Sequence, residues 1–547
     1  MRGWFLSIDR WLLLALALGF LSGVQGFGWG RYDCLNKDRM AFRSVMSKDR
    51  MPFEPEDFRK PPFYTYVNFF VSRWPADTLA RNLPGLTPDE RKDLRLRMRC
   101  HIARAINLAL FAGLVALVYR ITAFAHGRNP ARMAALLLAT SAGFIPYQIF
   151  LTCDMLMIFL MVAAFACAVR ILNNPSMGIS VAAGLLAGIA TAAKYNALVV
   201  AASLPLAHLL ASRGNVLLAC LRRPAAWICG LCVPLGFLLA NPYALLRFDK
   251  VKEDFLYNYS TTPVYGGEGP GSRYGDFFRM YSEIFGWPGY FLICGGVIIG
   301  VAAAAAAWSD GRDRVWKPWL LALAVLGLYV WKFGAFPRLE PRFVLPSAPF
   351  LLLVGASGFG VLLRARLVTI PLFFLLIAYN LLCAWLTGGL FRNDPRMQGL
   401  AWADAHLVGE AVVESSGACP LWKELPGRKL TVIRMPSGIA RKEKFSEMFS
   451  GDPRIRENVD RFETPESLAW FSEESRRSRN PRWIAWSSID CDPSIEPVYR
   501  EMIKNLHGFR IVFDSESPAM PWWAYPRFTE FVRNRLTIWE KEQGAAR

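Results

Sequence analysis

Apolar runs recur along the first two-thirds of the chain, separated by short charged turns. They cover approximately 11–27, 102–124, 132–151, 155–172, 178–193, 196–212, 225–246, 285–307, 318–335, 343–363 and 367–388. A hydrocarbon core of about 30 Å is crossed by about 20 helical residues, so the pattern predicts an α-helical polytopic membrane protein with about eleven spans. The runs at 178–193 and 196–212 are short and read either as one broken helix or as two half-buried ones. From residue 390 the pattern changes. Leu430–Arg434, Trp483–Trp486 and Phe509–Phe513 have the composition of short strands, while Leu407–Val413 and Pro497–Leu506 read as helical. The expected organisation is a transmembrane domain over 1–389 and a soluble α/β or α+β domain over 390–547.

Two features break the regularity of the membrane part. The first run, with Arg2 and Arg10 ahead of it, lacks a clear small-x-small cleavage site, so it is expected to be a retained span rather than a signal peptide. The stretch that follows, 28–101, is far longer than an ordinary turn and mixes acidic, basic, aromatic and Pro-rich segments, which predicts a task of its own.

Charge orients the bundle. Arg and Lys concentrate in cytoplasmic turns, and alternate turns here carry Arg128 with Arg132, Arg213 with Arg222 and Arg223, Arg312 with Arg314 and Lys317, and Arg364 with Arg366. The turn at Asn173–Met177 is the uncharged exception. This places the N-terminus in the cytoplasm. The loop 28–101, the turns around Asp154 and Lys194, the loop 247–284, the turn 336–341 and the tail from 390 fall together on the opposite, extracytoplasmic face. The formal charge of +19 is absorbed by cytoplasmic turns and an anionic ligand, which argues against nucleic acid as a partner. Hydrophobic residues make up 53% of the chain, too many for a soluble core of this length. Of the eleven Cys, most lie in apolar runs as small hydrophobes. Cys34 with Cys100, or Cys419 with Cys491, stand where an oxidising compartment would permit a disulfide.

Candidate chemistry gathers on the extracytoplasmic side. Asp38 and Asp33 follow the first span, and Asp154 opens an apolar run. A carboxylate at membrane depth is costly unless paired or used, although Asp154 also fits the first turn of a helix. Lys60, Lys194, Arg338 and Arg342 lie on the same face. Arg offers phosphate a bidentate fork and Lys a compact charge, and snorkelling to the interface is the competing explanation. Phe63, Tyr64, Tyr66, Phe69 and Phe70 read as an interfacial aromatic belt or a sugar platform. No GxGxxG, Walker A or HExxH motif is present. With five His there is no metal cluster, and a need for a divalent ion is left open.

Seven segments, in order, resemble the GT-C membrane glycosyltransferases. They are NKDRMAF, KPPFYTYV, ARAINLALFAGLVALVYRI, LTCDMLMIF, GLLAGIATAAKYNAL, ANPYALLRFDKVKEDF and EPRFVLPSAPFLLL. Within GT-C the chain is similar to the family 39 and RgtA/B/C/D-like group, which holds the protein O-mannosyltransferases and the lipid A aminoarabinose transferase. The resemblance covers roughly 1–400. It implies Asp38 as catalytic base, Asp154 as second acid of the site, and Lys60, Lys194, Arg338 and Arg342 as ligands of the donor phosphate. The implied donor is a polyprenyl- or dolichyl-phosphate monosaccharide. Arg39 departs from the Glu often found there, which leaves Asp33 as a fallback base.

The expected function is therefore inverting transfer of a monosaccharide from a polyprenyl-phosphate donor to a hydroxyl of a lipid, glycan or protein acceptor. The expected setting is a bacterial inner membrane. A polytopic transporter or flippase of a lipid-linked or anionic solute would use similar charges, but would place them at mid-depth and show an inverted repeat. A non-catalytic assembly protein would bind its partner through the Trp-rich PAMPWWAYPRF of the tail.

Overall fold

The computed structural model describes residues 9–29, 51–55, 58–212, 223–261, 274–334, 340–407, 410–415, 429–434, 478–487, 506, 508–526 and 535–542. The apolar runs form helices α1 (Arg10–Val24), α2 (Pro88–His126), α3 (Arg128–Ala139), α4 (Asp154–Ile171), α5 (Met177–Ala193), α6 (Pro224–Ala240), α7 (Tyr274–Ser309), α8 (Asp313–Phe333), α9 (Ala348–Leu362) and α10 (Arg366–Arg392). Among the described residues, five helical stretches are long and apolar enough to cross a membrane: Glu90–His126, Asp154–Ile171, Tyr274–Ser309, Pro341–Leu362 and Arg366–His406. The protein is an integral membrane protein of mostly helical fold.

Two apolar runs are not continuous α-helices. The run 132–151 ends its helix at Ala139 and continues as a 3-10 turn, Ala142–Phe144, and a short helix, Ile145–Ile149. Gly143 allows that turn to lie against a neighbour, since a Cβ there would sit 2.4 Å from the Ile284 Cα. The runs 178–193 and 196–212 are two pieces. Lys194, with extended backbone (φ −160°, ψ 132°), separates α5 from a 3-10 segment, Tyr195–Ala202, and a helix, Ser203–Leu210.

Glycine sets the closest helix contacts, as expected where association in lipid depends on backbone approach. A Cβ on Gly188 of α5 would lie 2.0 Å from the Val233 carbonyl oxygen of α6. Gly184, one turn earlier, faces Cys229 in the same way, and Gly236 of α6 faces Leu185. On the other side of the bundle, Gly296 of α7 meets Gly355 and Gly358 of α9. At the end of the bundle remote from Asp154, Asp9 caps α1 and accepts hydrogen bonds from Tyr119 (2.7 Å) and Arg132 (2.8 Å), joining α1, α2 and α3.

α2 has 39 residues, which at 1.5 Å per residue is about 58 Å, so it outruns a bilayer core. Its start is fixed by a capping box between Thr87 and Glu90 with Pro88 in the first turn. The helix Trp74–Asn82 is tied to it by the Arg99–Asp77 pair at 2.5 Å.

Beyond α10 a further helix, α11 (Pro395–His406), leads into a five-stranded mixed sheet of order β2-β1-β3-β5-β4. The strands are β1 (Glu410–Ser415), β2 (Lys429–Arg434), β3 (Trp483–Ser487), β4 (Phe509–Glu516) and β5 (Arg535–Lys541). β1 pairs in parallel with β2 and β3, and β5 is antiparallel to β3 and β4. The three expected strands are present. The helix expected at 407–413 is not: its latter half belongs to β1, in the interior of the sheet, where the pleat accommodates the paired valines Val412 and Val413. β5 had no counterpart in the sequence reading. Most of the other expected helix, Pro497–Leu506, lies outside the described residues. Leu400, Ala403 and Leu407 pack on Val413, Trp483, Ala485, Leu536 and Ile538, so α11 seats the sheet directly on the end of α10.

Candidate active site

The site grows from the first turn of α4. Asp154 is buried there, and the Lys194 ammonium reaches its Oδ1 at 2.7 Å. The extended backbone at Lys194 carries the side chain off the end of α5 toward α4. The pair is not sealed: the Lys194 side chain keeps 19% of its surface while Asp154 keeps 5%. Asp154 therefore fixes the ammonium while part of the Lys194 side chain remains accessible. Tyr329 of α8 is fully buried.

A second cation shares one ring with Lys194. The Lys194 Nζ lies 5.9 Å from the centroid of Phe343, and the Arg342 guanidinium carbon lies 5.3 Å from the same ring. Arg342 is paired with Glu340 at 2.5 Å and keeps 21% of its side chain exposed. Both cations are thus held by a buried carboxylate and an aromatic face, geometries that restrict a long side chain.

The second half of the long first loop is docked onto this corner. Tyr195, next to Lys194, donates to the Phe58 carbonyl (2.9 Å), and the Phe58 N–H donates to Asp254 (2.7 Å). Arg59 pairs with Asp254 at 3.6 Å. Arg247 donates to Glu54 (2.8 Å), Tyr243 donates to the Pro52 carbonyl and Tyr66 to the Phe53 carbonyl (2.9 Å). Arg247 is the main reason the Glu54 carboxyl sits below its ordinary range. Lys60 is two residues beyond Phe58, so the docking carries it to the Lys194 side of the bundle. Asp33, Asp38 and Arg338 lie outside the described residues, as do Cys34, Cys419 and Cys491.

A neighbouring cluster went unread in the sequence. Trp29, which closes the first span, donates its indole N–H to Asp394 at 2.8 Å. Asp394 also accepts from the backbone N–H of Arg396 and from two nitrogens of its guanidinium, at 3.0 and 2.6 Å. Asp394 and Arg396 are fully buried. Arg104 of α2 also lies against the indole, its guanidinium carbon 5.9 Å from the ring centroid. Arg104 donates to the carbonyls of Phe27 (2.7 Å) and Ile149 (3.1 Å), and Asn107 donates to Phe150 (2.9 Å). These bonds fix the 149–150 segment that leads into Asp154. Arg104 did carry a signal, being a charge inside an apolar run. Asp394 and Trp29 are 365 positions apart and had none.

The family model for dolichyl-phosphate-mannose-protein mannosyltransferase matches residues 101–242, the stretch from α2 to the end of α6 that holds both Asp154 and Lys194. The crystal structure of ArnT from Cupriavidus metallidurans in the apo state is similar over 97% of this chain and 97% of that one, at 15% identity and a TM-score of 0.50. The fold is GT-C. Two further structures are similar at lower scores. ArnT from the same organism bound to undecaprenyl phosphate has 14% identity, 97% of each chain covered and a TM-score of 0.48. The archaeal oligosaccharyltransferase AglB from Archaeoglobus fulgidus, in complex with an inhibitory peptide and a dolichol-phosphate, has 13% identity, with 94% of this chain and 75% of that one covered, and a TM-score of 0.44. No curated protein sequence matches the chain significantly. Within the GT-C fold, the Asp154–Lys194 pair, Arg342 and the docked 51–60 segment share one end of the helical bundle.

Proposed function

We propose that this protein is a membrane glycosyltransferase that moves a monosaccharide from a polyprenyl-phosphate donor to an acceptor hydroxyl on the extracytoplasmic face. The observation that carries the reading is the pairing of Lys194 with Asp154, with Arg342 against the same Phe343 ring. These are two cations held rigidly but left partly open, at the rim of an apolar bundle. Phosphate departing from a sugar gains negative charge, and fixed cations in a low-dielectric site stabilise that charge without reorganising. Lys194 and Arg342 take this role, with Lys60 and Arg338 supplying further charge to the same phosphate. Asp154 orients Lys194. Asp38 accepts the acceptor's hydroxyl proton as the new C1–O bond forms on the opposite face from the breaking C1–O–phosphate bond, and the polyprenyl phosphate leaves. Inversion at C1 follows from that single displacement. Asp33 is the reserve base. A lipid, a glycan or a protein hydroxyl serves as acceptor equally well in this scheme. The bacterial inner membrane is its proposed home, with the N-terminus cytoplasmic and the 390–547 domain outside.

Candidate phosphate-binding charges gathered at one end of the bundle suit a transferase better than a transporter, which needs its sites near mid-depth. The test is purified protein in lipid with a panel of polyprenyl-phosphate sugars. Wild type releases polyprenyl phosphate from one of them, and Asp38→Asn abolishes transfer while inserting normally. Near-normal turnover by Asp38→Asn would remove that residue from the role, and no reaction by wild type with any donor would remove the reading.

A further inference from the structure

We infer that the segment Ser517–Pro526 of the tail is a membrane-contacting loop whose Trp522 and Trp523 sit in the headgroup–acyl boundary of the leaflet at the site end of the bundle. Four observations carry this. Tyr525 is plugged between helices: its hydroxyl donates to Asn380 of α10 (2.8 Å) and its ring lies against Gly286. Gly286 is the kink of α7, with φ +70°, and a Cβ there would stand 2.5 Å from Tyr525 and 3.0 Å from Tyr379. Tyr379 donates to the Trp523 carbonyl (2.8 Å) and its ring lies 6.2 Å from that of Trp523.

The second observation is depth. α10 continues past Tyr379 to Arg392, whose guanidinium lies 4.4 Å over the Trp385 ring. A Trp with an Arg over it marks an interface. Tyr379 is six residues short of Trp385, about 9 Å further into the bundle along the helix. The loop therefore re-enters below the level of Trp385, while Leu382 and Trp385 on the same helix stay exposed.

Third, the exposed rings continue a lipid-facing surface. Trp522 is 82% and Trp523 38% exposed, and Trp287 beside the Gly286 kink begins an exposed stripe on α7 that continues through Phe291, Ile298 and Val301. Fourth, the composition suits entry into an interface. No charge occurs between Glu516 and Arg527, and Pro518, Pro521 and Pro526 bring no N–H to desolvate. Amphipathic indoles favour this zone over either water or hydrocarbon.

The experiment places an environment-sensitive NBD label on Trp522→Cys in the full chain, reconstituted in phosphatidylethanolamine/phosphatidylglycerol nanodiscs, with signal from the parent protein subtracted. The control label is on Arg510→Cys of β4, a residue that is exposed in the same sheet. Lipid carrying a shallow doxyl quencher is expected to quench the 522 label at least about twofold more than the 510 label, with blue-shifted emission at 522. Water-like emission and equal quenching at both sites would overturn the inference. So would shielding at 522 that ignores the quencher but rises with protein concentration, which would assign the rings to a second copy of the chain. Where Trp522→Cys fails to fold, Trp522→Tyr retains the interfacial ring and Trp522→Asp removes it. Faster protease cleavage of the tail in the Asp variant alone supports lipid contact, and equal cleavage in both opposes it.

Discussion

Lys194 faces two demands, because it both neutralises Asp154 and, in the proposed reaction, meets phosphate. Those demands separate experimentally. Lys194→Gln leaves a buried carboxylate without its ammonium, and breaking such a pair is more harmful than never having it. Lys194→Gln is therefore expected to lower both the melting temperature and kcat/KM, the latter by about 100-fold or more, as for loss of one charge-stabilising donor. Adding Asp154→Asn removes the stranded charge. The double variant is expected to regain most of the melting temperature and little of the activity. Recovery of activity along with stability would mean that the pair only holds α4 to α5. Glu54 offers a second test at this scale. Its folded pKa lies below its unfolded value, principally through Arg247. Its contribution to docking of the 51–60 segment is then full above the ordinary Glu range and fades as pH falls through the lowered value. Proteolysis within 51–60 is expected to accelerate on acidification in wild type. In Glu54→Gln it should already be faster near neutral pH and change less across that window.

Among the helices, α5 and α6 decide where Lys194 is presented, and their spacing is set by glycine. Gly188→Ala places a Cβ on the Val233 carbonyl and forces the helices apart, a cost on the order of 1–3 kcal/mol for overpacking. Gly178, on the same helix with open space around its α-carbon, accepts Ala freely. Thermal unfolding in detergent is expected to drop for Gly188→Ala and to hold or rise slightly for Gly178→Ala. Activity should follow, because α5 ends at Lys194. Equal behaviour of the two would show that the contact is not limiting. This level of structure was largely readable from sequence, since a span must satisfy its backbone internally and so declares itself as an apolar run. The breaks were less readable. Pro146 and the Ser-Ala-Gly turn interrupt 132–151 without interrupting its hydrophobicity. Asp154 and Lys194 stood out as charges at the ends of apolar runs, whereas their 2.7 Å contact joins positions forty residues apart. In the tail, β1 was misread because its valines sit among polar residues in a stretch too short to separate periods of 2 and 3.6.

At the scale of the whole molecule, the cluster around Trp29 joins parts that the chain keeps far apart. Its indole lies against Phe391 of α10 and Arg104 of α2 and bonds Asp394 at the root of the tail, and the bonds of Arg104 continue to the segment before Asp154. The loop that carries Asp38 begins immediately after Trp29. Trp29→Phe keeps an aromatic ring in the packed space but removes three ring atoms, the N–H nitrogen among them, while Asp394 keeps its bonds to Arg396. The variant is therefore expected to fold, with a loss of about 2–4 kcal/mol for one hydrogen bond to a charged acceptor and the small void left by the indole. If the cluster only supports stability, turnover measured well below the melting temperature stays at the wild-type value. If it also fixes the start of the loop, kcat falls several-fold while KM for the donor holds, because the phosphate contacts of Lys194 and Arg342 lie on other elements. The second outcome is the expected one, and it follows from topology. With Asp394 holding the indole N–H and Arg104 against the same ring, displacement of the tail's root is transmitted to the exit of the first span before it reaches the cations.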